Sequence, residues 1–109
     1  MDCQKCGSAT VSYAVPDEFT DCVPGSETAV ALCTRCLALQ PATEPSQQPD
    51  FAQISDEFPN NPDAAIPLAI LLGLLENLAL YRAEITELLD AVERAGTDPL
   101  LALDRLAHD

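Results

Sequence analysis

A chain of 109 residues, 48% of them hydrophobic, has the size of one ordinary domain and enough apolar material to exclude global disorder. Eighteen acidic residues against five basic ones give a formal net charge of -13, which excludes a broad electrostatic footprint for nucleic acid. The start, MDCQKCGSAT, has neither the basic segment nor the apolar core of a secretory signal, so the expected compartment is the cytoplasm.

The first forty residues hold all five cysteines and read as short strands and turns. CQKCG, residues 3–7, is a tight turn in which Gly7 can take a positive φ and lead the chain away. Ala9 to Val15 alternates, with Val11, Tyr13 and Val15 on one face, as a half-buried strand does. Pro16 ends it, and a loop with one helical turn leads to a second β-like run, Thr28 to Leu32. CTRCL, residues 33–37, repeats the first turn with Leu37 in place of glycine.

Gln40 to Pro49 is proline-rich and reads as a linker. Phe51, Ile54 and Phe58 follow at helical spacing and can dock a short turn. From Asn61 the chain reads as one long helix, starting between Pro62 and Pro67 and stopped by Gly96. A short last helix over about 98–107 follows, with Thr97 as N-cap and Pro99 in its first turn. Leu74, Leu78, Tyr81, Ile85, Leu88 and Val92 are spaced as a heptad stripe. That stripe packs either inside the chain or against a second chain.

The stretch from Ala64 to Leu75 carries no charged or hydrogen-bonding side chain. As a helix it is roughly 18 Å long, well short of the roughly 30 Å of a hydrocarbon core, so no membrane span is expected. Being apolar on every side, it needs cover all round, from the rest of this chain or from another.

Five cysteines without a secretion signal favour metal or redox chemistry over a disulfide framework. Cys3-x2-Cys6 and Cys33-x2-Cys36 are separated by 26 residues, the spacing of one tetrahedral four-thiolate site closed across a hairpin. This arrangement, over residues 1–40, resembles the zinc ribbon family. The resemblance implies Zn2+ held by Cys3, Cys6, Cys33 and Cys36 between two knuckles of a β-hairpin. Iron is the alternative, as in a rubredoxin, but Leu37 after the second knuckle and the scarcity of aromatic residues argue against it.

Zinc with four thiolates carries a charge of -2. Lys5 and Arg35, each one residue before the second cysteine of its knuckle, compensate that charge or contact a phosphate or an acidic partner. Cys22 has acidic neighbours in Asp17, Glu18 and Asp21, which disfavour its thiolate, so it is expected as a small packed side chain. His108, the only histidine, is expected at an exposed helix end. Four cysteines saturate a tetrahedral ion and leave no position for a reactive water, and no phosphate-binding glycine loop or G-x-S-x-G is present. No enzyme is therefore expected.

The predicted fold class is α+β, a zinc-ribbon β-hairpin (1–40), a linker (41–60) and a C-terminal helical hairpin (61–109) of one long and one short helix. The layout, and the near absence of lysine, resemble small haloarchaeal proteins that join a zinc ribbon to a helical segment. The expected function is that of a non-enzymatic interaction module, with a protein partner or a homodimer formed through the helical segment. A nucleic-acid or transcription-associated role through Lys5 and Arg35 is the first alternative. Iron-based electron transfer is the second.

Overall fold

The computed structural model describes residues 3–23, 27–42, 51–54, 58–59, 61–75 and 78–107. Most of the proline-rich stretch, with Glu76, Asn77 and His108, lies outside the described residues. The architecture is α+β. Three antiparallel strands, β1 (Thr10–Ala14), β2 (Ala29–Cys33) and β3 (Leu39–Pro41), form a sheet in the order β1-β2-β3. Three α-helices follow: α1 (Pro62–Leu74), α2 (Arg82–Arg94) and α3 (Pro99–Ala107).

Alternation makes β1 a strand. Val11 and Tyr13 are buried, whereas Ser12 is half-buried and Ala14 exposed. Central β2, AVALC, is buried at every position, as a strand flanked on both edges and covered by a helix must be. Between them a 3-10 turn, Asp17–Cys22, buries Phe19 and Cys22. The third strand was not expected. Leu39–Pro41 is too short to show a periodicity and begins what reads as a linker. It pairs with β2 because the second knuckle turns the chain straight back, placing Leu39 opposite Leu32.

The expected long helix is instead two helices folded back on each other. Asn61 caps α1, its side-chain oxygen accepting from the Asp63 N–H at 3.1 Å, and Pro62 takes the first position. Pro67 lies within α1 rather than marking its start, and is fully buried. Leu78 to Leu80 form a turn before α2 begins at Arg82. A single helix over residues 61–95 would be about 50 Å long, while the molecule measures 30 × 28 × 28 Å. Folding back lets the apolar stripe of α2 cover α1, which could not otherwise be buried on all sides.

The stripe is divided accordingly. Ile85, Leu88 and Val92 on α2 are buried in the chain's own core, and so is Leu74 on α1. Tyr81 is half-buried and Leu78, in the turn, is exposed. Ala64, Ala65, Leu68, Ala69, Ile70, Leu71 and Leu72 of α1 are all buried. The helix packs on β2 and β3 on one side and on α2 on another. At Gly73 the approach to the sheet is so close that a Cβ would stand 2.6 Å from the Leu39 Cβ.

Helix α2 ends in a Schellman turn. Gly96, at φ 96°, donates to the Glu93 carbonyl and Thr97 to the Val92 carbonyl. Thr97 therefore serves this end and is not the cap of α3. Asp98 is that cap, its carboxylate accepting from the N–H groups of Leu100 and Leu101 at 3.1 and 3.2 Å. An aspartate satisfies two helix-start donors and suits the positive end of the helix. Phe51 and Phe58, beyond the linker, are both buried; Phe51 meets the sheet residue Tyr13 edge-on and stacks with Phe58, with ring centroids 5.3 Å apart in each pair. Among the described residues no helix is long and apolar enough to cross a membrane.

Candidate metal centre

The sheet register builds the site. Thr10 at the start of β1 stands opposite Cys33 at the end of β2, so the first knuckle and the second emerge from the same end of the sheet. Thr34 fastens them, its N–H and its hydroxyl both donating to the Ala9 carbonyl at 3.0 and 2.8 Å.

The two knuckles are built alike. In the first, the Cys3 N–H donates to the Ser8 carbonyl at 2.8 Å; in the second, the Cys33 N–H donates to the Ala38 carbonyl at 3.0 Å. The Lys5 N–H points at the Cys3 sulfur at 3.4 Å, and the Arg35 N–H at the Cys33 sulfur at 3.3 Å. The Cys36 N–H also reaches the Cys33 sulfur, at 3.3 Å. Gly7 and Leu37, each after the second cysteine, both have positive φ, 75° and 60°. The backbone thus repeats even where the residue type does not.

All four sulfurs lie within 4.8 Å of one another. Cys3 and Cys36 are 3.6 Å apart and Cys6 and Cys33 are 3.4 Å apart. These separations are far longer than the ~2.05 Å of a disulfide. They match the ~3.8 Å edge of a tetrahedron whose metal–sulfur bonds are ~2.3 Å. Cys3, Cys6, Cys33 and Cys36 can therefore hold a metal ion.

The electrostatics prepare the sulfurs for a cation. N–H groups of Cys6 and Lys5 lower the pKa of Cys3. The hydroxyl and N–H of Ser8, with the Cys33 thiol, bring Cys6 down to about 6. The Ala38 N–H pulls Cys36 down, but the sulfurs of Cys33, Cys3 and Cys6, together with burial, outweigh it and push Cys36 up to about 12. Four thiolates cannot crowd together without a cation, so the cluster divides into low and high thiols. A bound divalent ion removes that conflict.

Lys5 and Arg35 occupy equivalent, exposed positions on the two knuckles. Two residues of the site escaped sequence reasoning. Gln40, buried on β3, accepts with its side-chain oxygen from the Gln4 N–H at 3.1 Å and so ties the third strand to the first knuckle. Ser8 turns its hydroxyl and N–H toward Cys6. Only the pairing of β3, itself not visible in the sequence, brings Gln40 to the site. Ser8, two residues after a ligand, was within reach of sequence reasoning.

Cys22 belongs elsewhere. It packs in the main core, while Cys3, Cys33, Cys36 and Ala38 form a separate small cluster. Its thiol donates to the Glu87 carboxylate at 3.4 Å. Burial, and then Glu87, Glu84 and Asp21, push its pKa up to about 12. The acidic neighbours that matter most are on α2, not on the 3-10 turn that carries it.

No curated protein and no solved structure matches the chain. Residues 2–109 match the model of a family described as a family of unknown function (DUF6276), and the chain belongs to that family.

Proposed function

We propose that the chain is a non-enzymatic interaction module whose four-cysteine centre holds a structural zinc ion. The observation that carries this reading is the convergence of four sulfurs within 4.8 Å on two matched knuckles. A soft, tetrahedral, all-sulfur donor set suits zinc, and four thiolates leave it no open position for a substrate or water. The ion closes a sheet whose third strand has only three residues. Leu78 and Leu80 in the turn between α1 and α2, and Leu100 and Leu101 on α3, are exposed and offer the helical half an apolar surface for a protein partner.

Native mass spectrometry tests the metal. One zinc per chain is expected, lost in the Cys33→Ser variant while Cys22→Ser retains it. A red protein carrying iron, or a chain that takes no metal, ends the zinc reading. The partner is tested by capture from cell extract in molar potassium chloride. Binding that persists in a folded Leu78→Ser, Leu80→Ser, Leu100→Ser, Leu101→Ser variant places the interface elsewhere.

A second reading draws on Lys5 and Arg35, matched in position and exposed at the knuckles of an otherwise acidic chain. Contact with a nucleic-acid phosphate there would be lost in a Lys5→Ala, Arg35→Ala double variant, measured by filter binding. No retention of RNA or DNA by the parent protein ends this reading.

The acid excess supports a working environment of molar salt, in which repulsion among carboxylates is screened within roughly 3 Å. The thermal midpoint is expected to rise steeply from dilute buffer to molar potassium chloride. A midpoint insensitive to salt speaks against that environment.

A further inference from the structure

The four sulfurs differ in how far solvent reaches them. Cys3 and Cys33 are buried, Cys36 is partly covered, and Cys6 alone is exposed. The buried Cys33 sulfur lies 3.4 Å from that of Cys6, and the two belong to different knuckles. Cys33 is also the last residue of the central strand, so whatever it bonds to is fixed to the sheet.

We infer that Cys6 is the site at which hydrogen peroxide oxidises the centre, and that the product is a Cys6–Cys33 disulfide that replaces the metal as the clasp between the knuckles. This rests on the metal-centre reading above. The chemistry has two steps. The Cys6 thiolate attacks an oxygen of the peroxide. A sulfur–oxygen bond forms, the oxygen–oxygen bond breaks, and the departing hydroxide takes a proton to become water. The Cys33 thiolate then attacks the Cys6 sulfur. The sulfur–sulfur bond forms, the sulfur–oxygen bond breaks, and a second hydroxide leaves as water. Two electrons pass from the two sulfurs to the peroxide. The ion loses two of its four ligands and departs, and Cys3 and Cys36 take up protons.

Exposure selects the first sulfur, because a peroxide must reach the atom it oxidises. Proximity selects the second. A bond from Cys6 to Cys33 joins the two ends of the hairpin, as the ion does. A bond from Cys33 to Cys36 would close only one turn and leave the knuckles apart. The oxidised protein therefore keeps its sheet while losing its metal, and a dithiol with added zinc restores the starting state.

The test treats the zinc-loaded full chain with hydrogen peroxide. A metal-sensitive dye follows release, and peptide mapping locates the disulfide. The expected result is one zinc released per chain, a mass two hydrogens below that of the reduced metal-free chain, and a Cys6–Cys33 bridge. Zinc release is unchanged in Cys22→Ser, whose thiol lies in the main core and not at the centre. A Cys3–Cys6 or Cys33–Cys36 bridge in the parent protein overturns the inference, as does zinc that stays bound while Cys6 remains reduced. A chain that binds no metal refutes the zinc reading by its mass before any peroxide is added. Its disulfide map then still decides whether Cys6 and Cys33 pair.

Discussion

Leu37 holds the left-handed backbone of the second knuckle at φ 60°, where its counterpart in the first knuckle is Gly7. A non-glycine residue there costs about 1–2 kcal/mol. The compensation is that the Leu37 side chain packs against the main core, and burying a leucine contributes about 1.5–3 kcal/mol when complete. The two nearly cancel. Leu37→Gly should therefore move stability by less than about 1 kcal/mol, whereas Leu37→Ala keeps the strain, loses the contact and costs about 1–2 kcal/mol. Urea midpoints of the zinc-loaded variants give the order. An alanine variant as stable as the glycine one would remove the backbone strain from the account. The convergence of the four cysteines was legible because the spacing within each CxxC pair is local chemistry. The conformation of Leu37 was not, because a residue outside its usual region is held there by contacts far along the chain.

Two buried groups are expected to weaken the fold at alkaline pH. The Tyr13 hydroxyl is fully buried and has no hydrogen-bond partner among the described residues, and burial pushes its pKa above the ordinary phenol range. Burial and Glu87 push Cys22 up to about 12. Both folded-state values lie above the unfolded ones, which are about 9 for cysteine and about 10 for tyrosine. Their stabilisation is complete below those unfolded values and is lost as pH rises toward the folded ones. Stability is thus expected to fall from about pH 9 upward, and Tyr13→Phe or Cys22→Ala should each flatten the fall. Urea midpoints taken across that range measure it. An unchanged slope in both variants would assign the fall to other groups.

Among the elements, the helical half departs most from the sequence pattern. The heptad spacing from Leu74 to Val92 is real, yet α1 ends at Leu74 and α2 begins at Arg82. Spacing alone cannot distinguish a stripe that continues along one helix from one broken by a turn. What decides is the apolar surface of α1, which needs a neighbour that only a fold-back supplies. At Gly73 helix and sheet come close together. In an exposed helix Gly→Ala is favourable by about 1 kcal/mol. Here the new Cβ would meet the Leu39 Cβ at 2.6 Å, and both atoms are fixed directly to the backbone rather than carried on a flexible side chain. Overpacking of this kind costs about 1–3 kcal/mol, so Gly73→Ala should destabilise. A raised thermal midpoint in that variant would mean that the two elements separate at little cost.

For the whole molecule, the question is how the centre and the helices depend on each other. Leu37 and Leu39, partly buried against the main core, directly follow the second knuckle. Removing the ion should loosen that knuckle, and with it the cover over α1. A strong chelator is expected to raise the fluorescence of a dye that binds apolar surface and to lower the thermal midpoint. Unchanged dye binding after complete removal of zinc would make the centre independent of the core. The α+β class was legible from two alternating runs followed by helical spacing. How the two parts share one core was not, because β3 and its contacts with α1 depend on residues about thirty positions apart.

The contact between Leu39 and Gly73 also bears on the order of events during synthesis. Chains emerge from the N-terminus, so both cysteine pairs and all three strands leave the ribosome before α1 does. The sheet that will cover the most apolar helix can close first, on the proposed ion where one is bound. When α1 appears, one of its two covers is already in place, and α2 follows within a few residues to supply the other. If the centre holds zinc as proposed, metal supply during translation, rather than metal supply to the finished protein, determines how long that helix is left bare.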